Sequence, residues 1–168
     1  MPRRIELEVD YDNSDAPGFY TDFDSYGAIL YYAYSVNKDL ALELYKAMVS
    51  EYYYKLETDM PLEGLTDEDL NVYLPLNDLP QVITFINNQV LPSLETLPLD
   101  LDLTTTWNIG NSLEAFLINQ GSFFEYFNID DIEQDDYTVQ YFIGSFKQLN
   151  AFFQDVVNQN LIYMVSIV

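Results

Sequence analysis

Five carboxylates occupy seven consecutive positions in the segment DDIEQDD, residues 130–136, and no Lys, Arg or His lies nearby. Carboxylates at such spacing can act as a general acid and base, bind a divalent cation, or accept charge-assisted hydrogen bonds from basic side chains. A solvated acidic loop is the alternative without a function. The five residues are Asp130, Asp131, Glu133, Asp135 and Asp136.

The residue types that are missing exclude most catalytic chemistry. The chain has no Cys and no His, so it cannot build a thiol nucleophile, a zinc–thiolate site or a Ser-His-Asp triad. Its six glycines are scattered and form no phosphate-binding loop. Paired carboxylates could still support hydrolysis, but 28 acids produce close pairs by chance. We therefore expect a protein that is not an enzyme and that binds no cofactor.

Two acidic stretches, DYDNSDAPG at residues 10–18 and DLDLT at residues 100–104, raise the question of calcium. An EF-hand loop that started at Asp10 would need Gly at its sixth position and Glu at its twelfth. Asp15 and Thr21 stand there instead. In DLDLT the alternation is typical of a strand with an acidic outer face. The sequence therefore predicts no dedicated metal site.

Basic residues are absent from the long middle of the chain. Seventeen acids and no base lie between Leu56 and Phe146, and the whole chain carries 28 acids against six bases, a formal net charge of −22. Most acids therefore have no partner of opposite charge within the chain, and their mutual repulsion opposes the compact state. An acidic surface that is kept despite this repulsion indicates that the surface itself is used.

Tyrosine is the other unusual feature, because the chain has fifteen and three of them are consecutive at residues 52–54. Successive helical positions lie about 100° apart, so three in a row cannot all face one core. At least one of the three is expected to be exposed. The exposed ring would lie either at the edge of the core, with its hydroxyl in water, or in an interface, where Tyr is enriched.

Length and composition predict one domain over residues 1–168 with a substantial core. Apolar residues make up 49% of the chain and aromatic residues 16%, which is too hydrophobic for a disordered acidic protein. The segment IELEVDY, residues 5–11, alternates apolar and acidic residues as a half-buried strand does. Residues 161–168 read as a second strand that pairs with it. We expect an α+β fold, mostly helical, with a small sheet formed by the N- and C-terminal strands.

Helical periodicity and capping residues predict most of the remaining elements. Residues 12–24 and 57–80 read as loops, the second with one short helix, and residues 98–103 as a short strand. The clearest helix runs from 137 to about 158, where an apolar stripe repeats every three or four residues. The other predicted helices are 26–36 capped by Ser25, 40–56 capped by Asp39, 81–91 ended by Pro92, and one from 108 or 111 to 119.

At the level of protein class, the base-free run 56–146 and the cluster DDIEQDD resemble the DNA-mimic inhibitors of phages and mobile elements, such as anti-restriction and anti-CRISPR proteins. The resemblance lies in composition, not in an aligned motif. It implies a stoichiometric inhibitor that blocks the basic DNA- or RNA-binding groove of a host defence nuclease and has no catalytic residues. The net charge equals that of roughly eleven base pairs of duplex, about one helical turn.

Under this hypothesis the contact surface consists of acidic clusters that accept hydrogen bonds from the Arg and Lys residues of the partner. The cluster at 130–136 ranks first, and tyrosines supply aromatic contacts. The other predicted contact residues are Asp67, Glu68, Asp69, Asp22, Asp24, Asp12, Asp15, Tyr137 and Tyr53.

Two other functions stay open. An immunity protein or antitoxin that neutralises a basic nuclease toxin would concentrate its acids in one patch with aromatic anchors, for instance around residues 126–137. A mimic would instead spread them along an elongated face or across a homodimer. An acid-pair hydrolase would hold one or two carboxylates in a pocket, where their pKa would be strongly raised.

The expected partner is a basic nucleic-acid-binding protein, either a defence nuclease or a nuclease toxin. Direct contact with nucleic acid or with a membrane is not expected. The sequence contains no signal peptide and no apolar run of the length that crosses a bilayer. We therefore expect a cytoplasmic protein, in the host cytoplasm if a phage encodes it.

Overall fold

The structure, a computed structural model, describes residues 4–10, 12–48, 79–103, 137–161 and 163–167. Across these ranges the strands form one three-stranded sheet with the order β2-β1-β3. Strand β1 is Arg4–Glu8, β2 is Gly18–Asp22 and β3 is Met164–Ile167. Both neighbours run antiparallel to β1. The predicted α+β class and the predicted pairing of the N- and C-terminal strands are therefore confirmed.

Strand β2 corrects the prediction of a loop over residues 12–24. Phe19 and Thr21 are buried, and they alternate with Gly18, Tyr20 and Asp22, which are exposed. This two-residue period is the signature of a half-buried strand. Strand β2 is only five residues long and lies among acids next to a Pro-Gly pair. These residues are typical of turns, so the local sequence predicts a loop. The predicted inner face of β1 is confirmed, because Ile5 and Leu7 are both fully buried. Glu6 between them is also buried, and the strand ends at Glu8 and not at residue 11.

Helix α1, Phe23–Val36, begins directly after β2. Asp22 occupies its N-cap position with an extended backbone but makes no side-chain cap hydrogen bond. The predicted start at Tyr26 with Ser25 as cap was wrong, because Ser25 lies inside the first turn and is buried. The Ser25 hydroxyl lies 3.4 Å from the hydroxyl of Tyr137, so it joins two parts of the core.

Helix α2, Lys38–Met48, is capped by Asn37 and not by Asp39. The Asn37 side-chain oxygen accepts a hydrogen bond from the amide of Leu40 at 3.2 Å. Asp39 lies in the first turn, where a negative charge interacts favourably with the helix dipole. Leu44, Ala47 and Met48 are buried and form the apolar stripe by which α2 joins the core. The predicted extension of this helix to residue 56 lies outside the described residues.

The next helical segment contains a π-helical turn. It consists of α3, Leu79–Phe85, the π-turn Ile86–Val90, and α4, Leu91–Glu95. The prediction that Pro92 ends the helix was wrong, because Pro92 lies in the first turn of α4. The amide of Leu91 donates to the carbonyl of Ile86, five residues earlier. A wider turn just before a proline relieves its clash with the preceding carbonyls, so the helix continues.

Residues 98–103 form a turn and an isolated bridge instead of the predicted strand. The amide of Leu101 donates to the carbonyl of Pro98 at 3.1 Å, and Asp102 pairs with Thr138 in one antiparallel bridge. The carbonyls of Leu99 and Leu101 each accept a hydrogen bond of 2.9 Å from the first turn of the helix that begins at Val139.

That helix is α5, Val139–Asn158, and Thr138 caps it by accepting from the amide of Tyr141 at 3.3 Å. Its predicted apolar stripe is confirmed. The ring of Tyr32 from α1 packs against two of these side chains, with centroid distances of 5.5 Å to Phe142 and 6.1 Å to Phe146. The fully buried stripe consists of Phe142, Phe146, Leu149, Phe153 and Val156.

Candidate partner-binding surface

Nine of the predicted contact residues lie outside the described residues. The structure therefore leaves the first-ranked cluster a prediction, and the same holds for the exposed tyrosine of the run 52–54 and the predicted helix up to residue 119. The contact residues concerned are Asp130, Asp131, Glu133, Asp135, Asp136, Asp67, Glu68, Asp69 and Tyr53.

Asp12 and Asp15 lie in the loop that joins β1 to β2, and both are exposed. Two side chains fix the path of this loop. Asp10 Oδ1 accepts from the amide of Asp12 at 3.0 Å, and Asn13 Oδ1 accepts from the amide of Asp15 at 3.1 Å. Asp and Asn commonly stabilise turns in this way, because the side-chain oxygen accepts from a backbone amide two residues later. These turns hold the Asp12 and Asp15 carboxylates on a shaped loop in solvent, where no Lys or Arg of the described residues pairs with them.

Asp22 and Asp24 lie at the junction of β2 and α1. Asp22 is exposed, and its position in the sheet is opposite Arg4 on β1. Asp24 follows in the first turn of α1. The structure therefore places two of the predicted acids at one end of β2 and two others in the loop that precedes its opposite end.

Tyr137 is not part of this surface. Only 4% of its surface is exposed, and its ring meets that of Tyr141 edge to face at 5.4 Å between centroids. It belongs to the aromatic core where α5 begins, so its ring is not available to a partner in this structure.

The outer face of the sheet holds a connected group of charged and aromatic side chains. The Arg4 guanidinium binds the Glu6 carboxylate, with Nε 2.8 Å from Oε1, and lies over the ring of Tyr20 at 5.7 Å from its centroid. The Tyr20 hydroxyl donates to Glu8 at 2.7 Å. Four residues of β1 and β2 are thus joined across the strands.

This network perturbs the Tyr20 phenol. The hydrogen bond to Glu8, loss of solvent and the negative charges of Glu8 and Glu6 raise the pKa of Tyr20 to about 12, although Arg4 opposes the shift. A phenolate next to two carboxylates would be repelled by both, so the proton is retained. Tyr20 is 51% exposed and presents its ring to solvent.

A groove of about 530 Å³ lies between β2 and α5. One wall consists of Arg4 and the consecutive residues 19–22, with Ser25 at the start of α1. The other wall is a polar face of α5. Its residues are Gln140, Tyr141, Gly144, Ser145 and Gln148.

Sequence patterns do not predict this groove, because residues 12–24 read as a loop and the periodicity of α5 indicates only its apolar stripe. One signal was present in the sequence. Gly144 lies in the middle of a strongly periodic helix, where glycine costs roughly 0.5–1 kcal/mol relative to alanine. A Cβ added at Gly144 meets no atom within 4 Å, so packing does not require glycine there.

The described residues contain no cluster of three or more acidic side chains arranged to hold a metal ion. In the same part of the chain, no helix combines the length and the apolar character needed to cross a membrane. No family model, curated protein or solved structure matches the chain.

Proposed function

We propose that the protein is a stoichiometric inhibitor that mimics nucleic acid and occupies the basic DNA- or RNA-binding groove of a host defence nuclease in the cytoplasm. The observation that carries this proposal is the distribution of charge. A net charge of −22 combined with 91 consecutive residues, 56–146, that contain no base gives the surface a polyanionic character. A groove lined by Lys and Arg attracts such a surface over long distances and accelerates association.

The described part of the fold supports the proposal in two ways. In the described part of the chain the core is built from apolar and aromatic side chains, and Glu6 is the one carboxylate there that is buried. The loop between β1 and β2 presents Asp12 and Asp15 to solvent, on a backbone that Asp10 and Asn13 hold in turns. A preformed anionic surface loses little conformational entropy when it binds.

The partner is identified by capture from a bacterial lysate with immobilised protein at low salt, followed by elution with duplex DNA. We expect nucleases or other DNA-binding enzymes that elute at raised salt and that duplex DNA displaces, because DNA and this protein compete for the same basic groove of the enzyme. Recovery of one small toxin that duplex DNA does not displace would favour the immunity-protein alternative. Recovery of no basic protein at low salt would contradict the proposal.

The contribution of the first-ranked cluster is tested with the captured nuclease. A variant with Asp130, Asp131, Asp135 and Asp136 changed to Asn should inhibit at least about tenfold less tightly, and its inhibition should depend less on salt. Single changes should have effects of only about 0–1 kcal/mol.

The matched control removes the same four charges elsewhere. It carries amide substitutions at four exposed acids outside the predicted contact set, and it should inhibit nearly as well as the original protein. Equal losses in both variants would show that only total charge matters and would overturn the assignment of the cluster. The control acids are Asp39, Glu95, Asp100 and Asp155.

A further inference from the structure

We propose that the groove between β2 and α5 binds an extended, basic segment of another protein, which adds to the sheet as a fourth strand along β2. This proposal concerns a second contact surface. It does not depend on the nucleic-acid mimicry proposed above.

The pairing register shows which backbone groups of β2 face the groove. The amide of Val9 donates to the carbonyl of Pro17 at 3.3 Å, so these two residues form a hydrogen-bonded pair. Such pairs alternate in an antiparallel ladder, and the partners Leu7–Phe19 and Ile5–Thr21 therefore also bond to each other. The backbone groups of Gly18 and Tyr20 and the amide of Asp22 consequently point away from β1.

That edge of β2 is unpaired within the described residues, because β2 is an outer strand of the sheet. Residues 19–22 all line the groove. Since neighbouring side chains of a strand point to opposite faces, four consecutive residues can line one groove only along the strand edge. An edge strand with free donors and acceptors is a template for another strand.

The opposite wall leaves room for a peptide backbone. Gly144 exposes the backbone of α5 toward the groove, and the space where its Cβ would lie is empty. Gln140, Ser145 and Gln148 supply amide and hydroxyl groups along the same wall. The groove volume of about 530 Å³ lies within the range of known ligand sites, roughly 300–1,000 Å³. A strand edge opposite a helix is a recurrent geometry for binding extended peptides.

Charge selects a basic occupant. Asp22 is exposed at one end of the groove, whereas Arg4, the basic residue among the groove-lining side chains, is bound by Glu6. A second copy of this chain would bring a further charge of −22 against the first and would be repelled. An extended segment that carries Arg or Lys opposite Asp22 satisfies both the free backbone groups and the charge.

The probe is a library of displayed ten-residue peptides, selected on the wild-type protein and counter-selected on the variant Gly144→Leu. The leucine fills the groove and improves helix propensity, so this variant should fold at least as stably. The variant Gln154→Leu changes an exposed residue of α5 outside the groove and serves as the control. Thermal unfolding of each variant verifies that it is folded.

We expect the enriched peptides to be basic, rich in β-branched residues and poor in proline. They should bind Gly144→Leu at least about tenfold more weakly than wild type, a difference of about 1.4 kcal/mol, and should bind Gln154→Leu normally. Amide NMR should locate binding at Gly18, Tyr20 and Asp22. Replacing alternate peptide residues by proline should abolish binding, because proline removes the N–H that strand addition requires.

Four results would overturn the proposal. They are the absence of enrichment over the counter-selection, enrichment of acidic peptides, peptide binding that Gly144→Leu does not weaken, and self-association of wild type that Gly144→Leu abolishes, which would identify a second copy as the occupant.

The Asn variant of the 130–136 cluster separates the two proposals. It should bind the selected peptides normally, whereas Gly144→Leu should still inhibit the nuclease if the mimic surface acts alone.

Discussion

The two faces of α5 differ in how much they contribute to packing. One face carries the buried stripe that includes Phe142 and Phe146, and each of its side chains contributes to the core. The other face lines the groove with glycine, serine and glutamine, and at Gly144 no neighbour requires the residue that is present. The first face explains why the chain folds. On the second face, glycine at position 144 lowers helix stability and no packing contact compensates for this loss. This indicates that the face binds a ligand.

Phe146→Ala should produce the largest effect among the variants that separate these faces. It removes a fully buried ring that packs against Tyr32 and Phe142, with centroids 6.1 and 6.5 Å away. We expect a loss of about 3–5 kcal/mol in the free energy of unfolding, measured by urea denaturation. A loss below about 1 kcal/mol would mean that this face of α5 is not the centre of the core.

Tyr163→Phe should have a smaller effect on the same side of the comparison. The buried Tyr163 hydroxyl donates to the carbonyl of Ala47 at 2.6 Å and links the segment before β3 to the end of α2. Removing it leaves that carbonyl without this donor, at a cost of about 1–2 kcal/mol in urea denaturation. The exposed hydroxyl of Tyr20 provides the contrast, and Tyr20→Phe should cost less than Tyr163→Phe.

Gly144→Ala tests the groove face and should change stability in the opposite direction. The added methyl group meets nothing within 4 Å, so the gain in helix propensity should raise the free energy of unfolding by about 0.5–1 kcal/mol. Thermal and urea unfolding measure this gain. A destabilised variant would show that the fold requires Gly144 and would contradict the assignment of the groove as a binding site.

The pH dependence contributed by Tyr20 should be the smallest effect, because this side chain is half exposed. Its pKa is raised to about 12 in the folded protein, chiefly by the hydrogen bond to Glu8, from an ordinary value of 10.0. The unfolded chain therefore loses the proton at lower pH than the folded protein does. The stability contribution of Tyr20 is complete below pH 10 and disappears as the pH rises from 10 towards 12.

A comparison of wild type with Tyr20→Phe isolates this contribution from that of the buried tyrosines. The difference in unfolding free energy between the two proteins should shrink across that pH window. Titration of the phenolate absorbance should show one tyrosine fewer with a raised pKa in Tyr20→Phe than in wild type. An ordinary pKa for Tyr20 would mean that the hydrogen bond to Glu8 does not form in solution.

The parts of the fold that the sequence predicted are those in which one element carries its own periodic signal. The alternation at residues 5–9 and the stripe of α5 are both long enough to be recognised without knowledge of their neighbours. Helix caps were less predictable, because Ser25, Asp39 and Asn37 are all acceptable cap residues. The cap of α1 depended on where β2 ends, and the cap of α2 depended on where α1 ends.

The remaining features depend on contacts between distant parts of the chain. Pro92 is a helix terminator by the local rule, and only the π-turn before it allows the helix to continue to Glu95. The groove arises because β2 and α5, far apart in sequence, lie side by side. Four of the predicted acids, Asp12, Asp15, Asp22 and Asp24, fall in the described residues near the two ends of β2. Composition indicated which residue types to consider, and tertiary structure decided which of them are neighbours.

The position of β1 in the middle of the sheet has a consequence for biosynthesis. Its first neighbour, β2, follows within a few residues, whereas its second neighbour, β3, is synthesised only after the long stretch of chain up to Met164. Until then a nascent polypeptide can form only a two-stranded hairpin, whose open edge carries the unpaired backbone groups of Glu6 and Glu8. A ribosome that stalls before Met164 therefore releases a product that is prone to pair with other chains.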